Sequence, residues 1–373
     1  VIDFNRNDYG DPWEEFNRIV WCAQKAPLFA SGMVNGYFDN NVPMEFWRLL
    51  ALYISSNTLS SVYWAIPFGQ DEVNTMLNQA KEVLSWYDNM RNPVPTWYFK
   101  GYYLQYIDGI PFKLKSAFDF SFMKEYGTVF KVYDDQDSGN ICFGTEKDGQ
   151  RYFVKFAGAP TEQFGGDPAD AISRLKATLP IYSDLKHENL IELIEAKEIG
   201  DGFAMVFKWA DSDCMGRMYP AAHRRFMQLP INDRLAVFSD ILSFLECVAS
   251  RKYVAIDFYD GSIMYDFANG KTTICDIDLF RKQPCINDMG RMWGSSRFQS
   301  PEEHQLGADI DEITNVYTLG ATAFALFGEY NRTREKWQLS DKLFEIATRA
   351  VSDDRTKRQQ SIRQFTAEWE AAQ

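Results

Sequence analysis

The sequence predicts an α+β chain in three parts: a mostly helical first hundred residues, a small sheet-rich lobe, and a large helical lobe, with a cleft between the two lobes. Three observations carry this. Before Asn92, apolar residues recur at helical spacing. Between Val129 and Phe156, three short apolar runs alternate with turn-forming residues. After Pro230 the helical spacing returns.

In the first part, Asp71 is expected to cap a helix whose apolar face is Val73, Met76, Leu77, Ala80, Val83, Leu84 and Tyr87. Phe46, Leu49, Leu50 and Tyr53 make a second face. The most apolar stretch, 46–68, contains Arg48 and the polar run Ser55-Ser56-Asn57-Thr58, which predicts a buried helix and not a membrane span. Asn92-Pro93-Val94-Pro95 breaks the pattern and marks a domain boundary. The expected division is a helical domain over 1–98, a linker over 99–115, a sheet lobe with its hinge over 116–210 and a helical lobe over 211–373.

In the sheet lobe, Val129-Phe130-Lys131-Val132-Tyr133, Ile141-Cys142-Phe143-Gly144 and Tyr152-Phe153-Val154-Lys155-Phe156 read as strands. Residues 134–140 and 146–149 are the turns between them. A helix is predicted over 169–185, followed by apolar runs at 190–194 and 203–209. In the helical lobe, Leu235, Phe238, Leu242 and Leu245 share one face. Val316, Leu319, Ala323 and Leu326 share another, and Ile362, Phe365 and Trp369 a third.

Composition narrows the function classes. In 373 residues, 46% hydrophobic and 16% aromatic content is ample for a core. A net charge of −13 argues against nucleic acid or an anionic membrane as the main partner. Cys22, Cys142, Cys214, Cys247, Cys275 and Cys285 form no CxxC pair and read as reduced core residues, which predicts a cytoplasmic protein. His187, His223 and His304 lack the paired spacing of a zinc site. No signal peptide is visible, and a chain that opens on Val1 is expected to lack its natural start.

Four groups could carry chemistry. Lys155 lies inside an apolar strand pattern. Asp257 lies in Val254-Ala255-Ile256-Asp257-Phe258-Tyr259-Asp260-Gly261-Ser262. Asp276 and Asp278 lie in Ile274-Cys275-Asp276-Ile277-Asp278, and Ser300-Pro301-Glu302 follows. One carboxylate that can accept a hydroxyl proton, a second that can hold magnesium and an upstream lysine make phosphoryl transfer the leading expectation.

In this order, residues from about 116 to 373 resemble a eukaryotic-like (Hanks-type) Ser/Thr protein kinase. The resemblance implies ATP and Mg2+ as cofactors and a protein Ser/Thr hydroxyl as acceptor. It places Gly139 and Ile141 at the last glycine and the valine of the glycine-rich loop, with Asp134 and Gln136 replacing the first two glycines. It makes Lys155 the phosphate lysine. The lysine's usual helix glutamate falls near Thr178, which is not acidic; Glu162 and Asp170 are candidate substitutes. Met205-Val206-Phe207-Lys208-Trp209-Ala210 matches the hinge, where backbone groups at Met205 and Phe207 would hold adenine. Asp257 takes the catalytic aspartate position, and Ala255 and Ile256 replace the usual His and Arg. Ser262 replaces the metal-binding Asn, with Asp260 as a nearby substitute. Asp276 matches the metal aspartate, and Asp278 is a candidate second ligand. Glu302 is expected to pair with Arg358, and Asn315 to brace the catalytic loop. His187, in His187-Glu188-Asn189-Leu190-Ile191, is expected to be structural.

Val1-Ile2-Asp3-Phe4, Tyr9-Gly10-Asp11-Pro12 and Glu15-Phe16 resemble the C-terminal half of aminoglycoside-phosphotransferase-like small-molecule kinases. That resemblance makes Asp3 a metal ligand in a fragment without a site of its own. Beside the protein-kinase expectation stand a nucleotide-binding pseudokinase, a small-molecule kinase and a helical scaffold.

Overall fold

The structure is a computed structural model that describes residues 10–99 and 101–373. Asp3 and the rest of its motif before Gly10 lie outside the described residues. The chain is α+β and divides into two compact units between Tyr103 and Leu104.

The first unit holds α1 (Ile19–Lys25), α2 (Pro27–Tyr37), α3 (Met44–Ala65) and α4 (Gln70–Trp86). Pro27 opens α2, where its missing N–H costs nothing. Phe46, Leu50, Ile54, Val34, Val83 and Tyr87 form the core. The 46–68 stretch is half-buried, not buried: Leu59 and Tyr63 are 74% and 79% exposed. Among the described residues, no helix is long and apolar enough to cross a membrane. In α4 the cap is Gly69, with a φ of 102°, and not Asp71. Asp71 sits in the first turn, where its charge complements the helix dipole. Leu77 and Leu84 fall on the exposed side of that helix.

The second unit begins with a hairpin in place of the expected linker. β1 (Tyr103–Ile107) and β2 (Ile110–Leu114) meet at Asp108-Gly109, both at positive φ (48° and 81°), as a tight two-residue turn requires. Phe112 and Leu114 bury fully against Phe120, Phe143 and Phe156. The expected strands appear as β3 (Thr128–Tyr133), β4 (Asn140–Lys147) and β5 (Gln150–Ala157). They are joined by β6 (Leu193–Ile199) and β7 (Gly202–Lys208) in an antiparallel sheet of order β3-β4-β5-β7-β6. The helix expected over 169–185 is two, α5 (Pro168–Ala177) and α6 (Leu179–Asp184). Pro180 has no N–H to continue the α5 ladder.

The helical part holds α7 (Pro220–Met227), α8 (Ile231–Ser250), α9 (Glu312–Phe327), α10 (Asp341–Ala350) and α11 (Ile362–Glu370). Phe238, Leu242, Leu245, Leu319, Ala323, Phe365 and Trp369 pack together as their spacing predicts. A short strand β8 (Asp213–Cys214) pairs with β10 (Ile263–Asp266), and β9 (Tyr253–Val254), β10 and β11 (Lys271–Ile274) lead into and out of the loops that carry Asp257 and Asp276. All six cysteines are free, but Cys142 alone of them is fully buried.

Candidate active site

Strand alternation decides which side chains meet. On β5, Val154 and Phe156 face the aromatic core under the β1–β2 hairpin, so Phe153 and Lys155 face the opposite side. Cross-strand partners share a face. Cys142 and Met205 pair with Lys155, whereas Ile141 pairs with Phe156. Ile141 is therefore on the wrong face for a ligand beside Lys155, and it is completely buried. The residue at that place on the Lys155 face is Cys142, whose thiol burial pushes up to about 12.

Met205 and Phe207 lie on the Lys155 face, but their strand is paired on both sides, by β5 and by β6. Their backbone groups belong to the sheet, so they do not form an open hinge edge; free chain begins after Trp209, whose N–H donates to the Arg151 carbonyl. Gly139 has a φ of 84°, and a side chain there would meet the Phe164 ring at 2.7 Å and Ala171 at 2.8 Å. Glycine lets this turn close on α5.

The Lys155 ammonium is held by Asp278 and lies 3.6 Å from an Asp276 oxygen. Neither Glu162 nor Asp170 pairs with it. Thr178, at the expected glutamate position, is buried and directs its hydroxyl to the Leu175 carbonyl and the Met205 sulfur. Instead, the helix contributes Tyr182 on α6, whose hydroxyl donates to the other Asp278 oxygen at 2.9 Å. Burial works against the Lys155 charge, but Asp278 and Asp276 carry its pKa well above the usual lysine value.

Asp257 follows β9 at a φ of 63°. Its loop is braced from α9: Asn315 accepts from the Ala255 N–H at 2.8 Å and donates to the Tyr253 carbonyl at 3.3 Å. Ser262 is completely buried, with its hydroxyl 3.4 Å from the Asp257 carbonyl and 3.5 Å from the Tyr259 N–H. Asp260, the alternative metal ligand, is buried against Arg297 (3.3 Å at both oxygens) and Tyr330 (2.6 Å), so it ties this loop to the segment after it. The Cys275 N–H donates to the Ser262 carbonyl at 2.9 Å, which sets the Asp276 loop beside the Asp257 loop.

The Asp257 carboxylate has no hydrogen-bond or ion-pair partner among the described residues, and burial, then the charges of Asp276 and Asp137, push its pKa to about 7. Gly294 passes over it: a side chain at 294 would sit 3.2 Å from an Asp257 oxygen. Asp276, at a φ of 56°, keeps 57% of its side-chain surface open. The protein around it and Asp278 still raise its pKa, against the pull of Lys155.

The end of the segment is fixed by Glu302, which takes a two-point contact from Arg358 (2.7 and 3.0 Å) and a third bond from Arg355. Burial would raise the Glu302 pKa, but these guanidinium groups hold it below the usual carboxylate range. His187 bridges Ser243 and the Asn189 N–H.

For magnesium, the donor chemistry is the test. Among the described residues, no three His, Cys, Asp or Glu side chains converge. Magnesium needs one or two carboxylates beside phosphate oxygens and water. Open Asp276 meets that need; Asp278 is engaged by Lys155 and Tyr182, and Ser262 by its own loop. A half-open cavity of about 870 Å3 is lined by Tyr182 and by residues such as Lys186, Glu192, Asp211 and Lys271. It contains none of Lys155, Asp257 or Asp276, so side-chain chemistry and not cavity size places the site. Tyr182, Gly294 and Arg297 are contributors that the motif reading missed. No family model matches the chain, and no curated protein matches it.

Proposed function

We propose that residues 104–373 catalyse ATP- and magnesium-dependent phosphoryl transfer to a Ser/Thr hydroxyl of a protein substrate. The observation that carries this reading is the half-buried Asp257 carboxylate, which has no partner among the described residues and lies within the field of Asp276, itself 3.6 Å from the Lys155 ammonium; its pKa is raised to about 7. A general base works best with a pKa near the working pH and no competing partner.

In this reading Lys155 contacts ATP phosphate oxygens, and Asp276 would hold magnesium, which supplies neutralisation of phosphate charge. Asp257 orients the acceptor hydroxyl and takes its proton as the bond to phosphorus forms. Positioning and charge neutralisation carry most of such catalysis. Gly294 leaves room beside Asp257 for a side-chain hydroxyl, and the long segment from Asp278 to Pro301 supports a polypeptide acceptor. The site belongs to a two-lobed, protein-kinase-like arrangement of the five-stranded sheet and the helical part.

A second reading, nucleotide binding without turnover, draws on the turn Asp134-Asp135-Gln136-Asp137, whose charge reaches Asp257, and on the engagement of Ser262 by its own loop. Single-turnover transfer from labelled Mg-ATP, to the protein itself and to a generic basic protein, separates the two. Transfer lost in Lys155→Ala and Asp276→Asn supports the enzyme. No transfer, with ATP still raising the Tm of the parent alone, supports the binding module.

A further inference from the structure

Lys155 and Asp278 lie far apart in sequence, yet their side chains, 13% and 17% exposed, are in direct contact. Asp276, the other carboxylate on Lys155, is more distant at 3.6 Å and far more open. The second Asp278 oxygen is taken by Tyr182, which is 4% exposed and packs its ring on Phe207 at 5.1 Å. Phe207 and Met205 flank Lys155 on the same face of the sheet. Both Asp278 oxygens thus have donors, and one donor comes from a buried, ring-packed helix side chain.

We infer that Asp278 is the anchor of Lys155 and not a metal ligand, and that Tyr182 is a positioning residue that fixes Asp278 from α6. The inference deepens the phosphoryl-transfer reading and rests on it. Thr178 cannot supply the charge that would orient the lysine from the helix, and the α6 hydroxyl acts one step removed, through a carboxylate on the Asp276 loop. The lysine, the helix and that loop are thereby coupled in one chain of contacts. A carboxylate with both oxygens engaged has little capacity left for a cation, whereas Asp276 retains it.

The test separates metal binding from lysine positioning. Mn2+ is titrated into the protein with a non-hydrolysable ATP analogue, and free Mn2+ is read by electron paramagnetic resonance. Asp276→Asn weakens Mn2+ binding about tenfold or more, while Asp278→Asn and Tyr182→Phe stay within about twofold of the parent. Single-turnover transfer then slows about tenfold in Tyr182→Phe, the size of one lost hydrogen bond to a charged group, and further in Asp278→Asn. Tyr182→Phe removes one oxygen and keeps the ring packing, so the variant folds and its Tm falls by no more than one lost hydrogen bond accounts for. Loss of Mn2+ in Asp278→Asn as severe as in Asp276→Asn overturns the anchor role. A parental rate in Tyr182→Phe overturns the positioning role. A parent that binds neither the analogue nor Mn2+ removes the phosphoryl-transfer reading itself.

Discussion

The two acidic corners of the site are built in opposite ways. Around Lys155, every charge has a partner: Asp278 and Asp276 hold the ammonium, and Tyr182 completes Asp278. Around Asp257, the supporting groups are paired, and among the described residues the carboxylate is not. Asn315 braces the backbone on one side, and Arg297 and Tyr330 hold Asp260 on the other. The first corner holds a cation in place. The second leaves a carboxylate without a partner among the described residues, at a cost in stability that the paired braces offset.

The braces give the largest expected stability effect. Arg358→Ala leaves Glu302 buried beside Arg355 without its two-point partner, and unfolding in urea should show a loss of about 3–5 kcal/mol. The sign with pH follows from the Glu302 carboxyl, whose folded pKa is depressed. Its stabilisation is fully present above the unfolded carboxyl value and is lost as pH falls through the lower, folded value. Glu302→Gln should therefore flatten the acid limb of the stability curve.

Asp257 titrates the other way. Its folded pKa, about 7, lies above that of an unfolded aspartate. Its favourable contribution is present below the unfolded value and lost as pH rises through about 7. Asp257→Asn should thus be more stable than the parent at neutral and alkaline pH, on the order of a few kcal/mol, with the gain shrinking below about 7 and vanishing below the unfolded aspartate value. Thermal unfolding of both proteins across pH reads this directly. A mutation that stabilises while it abolishes transfer would set this corner apart from the Lys155 corner.

A smaller effect is expected at Asn315. Its replacement by Ala leaves the Ala255 N–H and the Tyr253 carbonyl without their partner, worth about 1–3 kcal/mol in chemical unfolding. Transfer should fall more than stability alone explains, because the loop that aims Asp257 loosens.

Where chemistry sits in runs, the sequence made it readable. The nearness of Lys155, Asp257 and Asp276 and the Glu302–Arg358 pair could be anticipated from order and residue type. The misses have physical causes. Ile141 fails by one step because a strand has period two, and counting loop residues cannot fix the pleat. Tyr182 carries no local signal, since nothing near it in sequence shows that its hydroxyl meets a carboxylate 96 positions away. The hairpin at 103–114 carries a signal, Asp108-Gly109 between apolar residues, inside the stretch expected as a linker. The Met205 and Phe207 backbone could not be assigned without knowing that β6 closes the far side of β7.

The central claim is that Asp257 is the proton acceptor in phosphoryl transfer, and its most direct test is the single-turnover rate against pH in parent and Asp257→Asn. The account predicts a parent rate that climbs as pH rises through about 7, because only the ionised carboxylate accepts a proton. Asp257→Asn should lack that rise and run about 10²–10⁴-fold slower, with ATP still bound. Transfer by Asp257→Asn at the parental rate, with the same pH dependence, would contradict it.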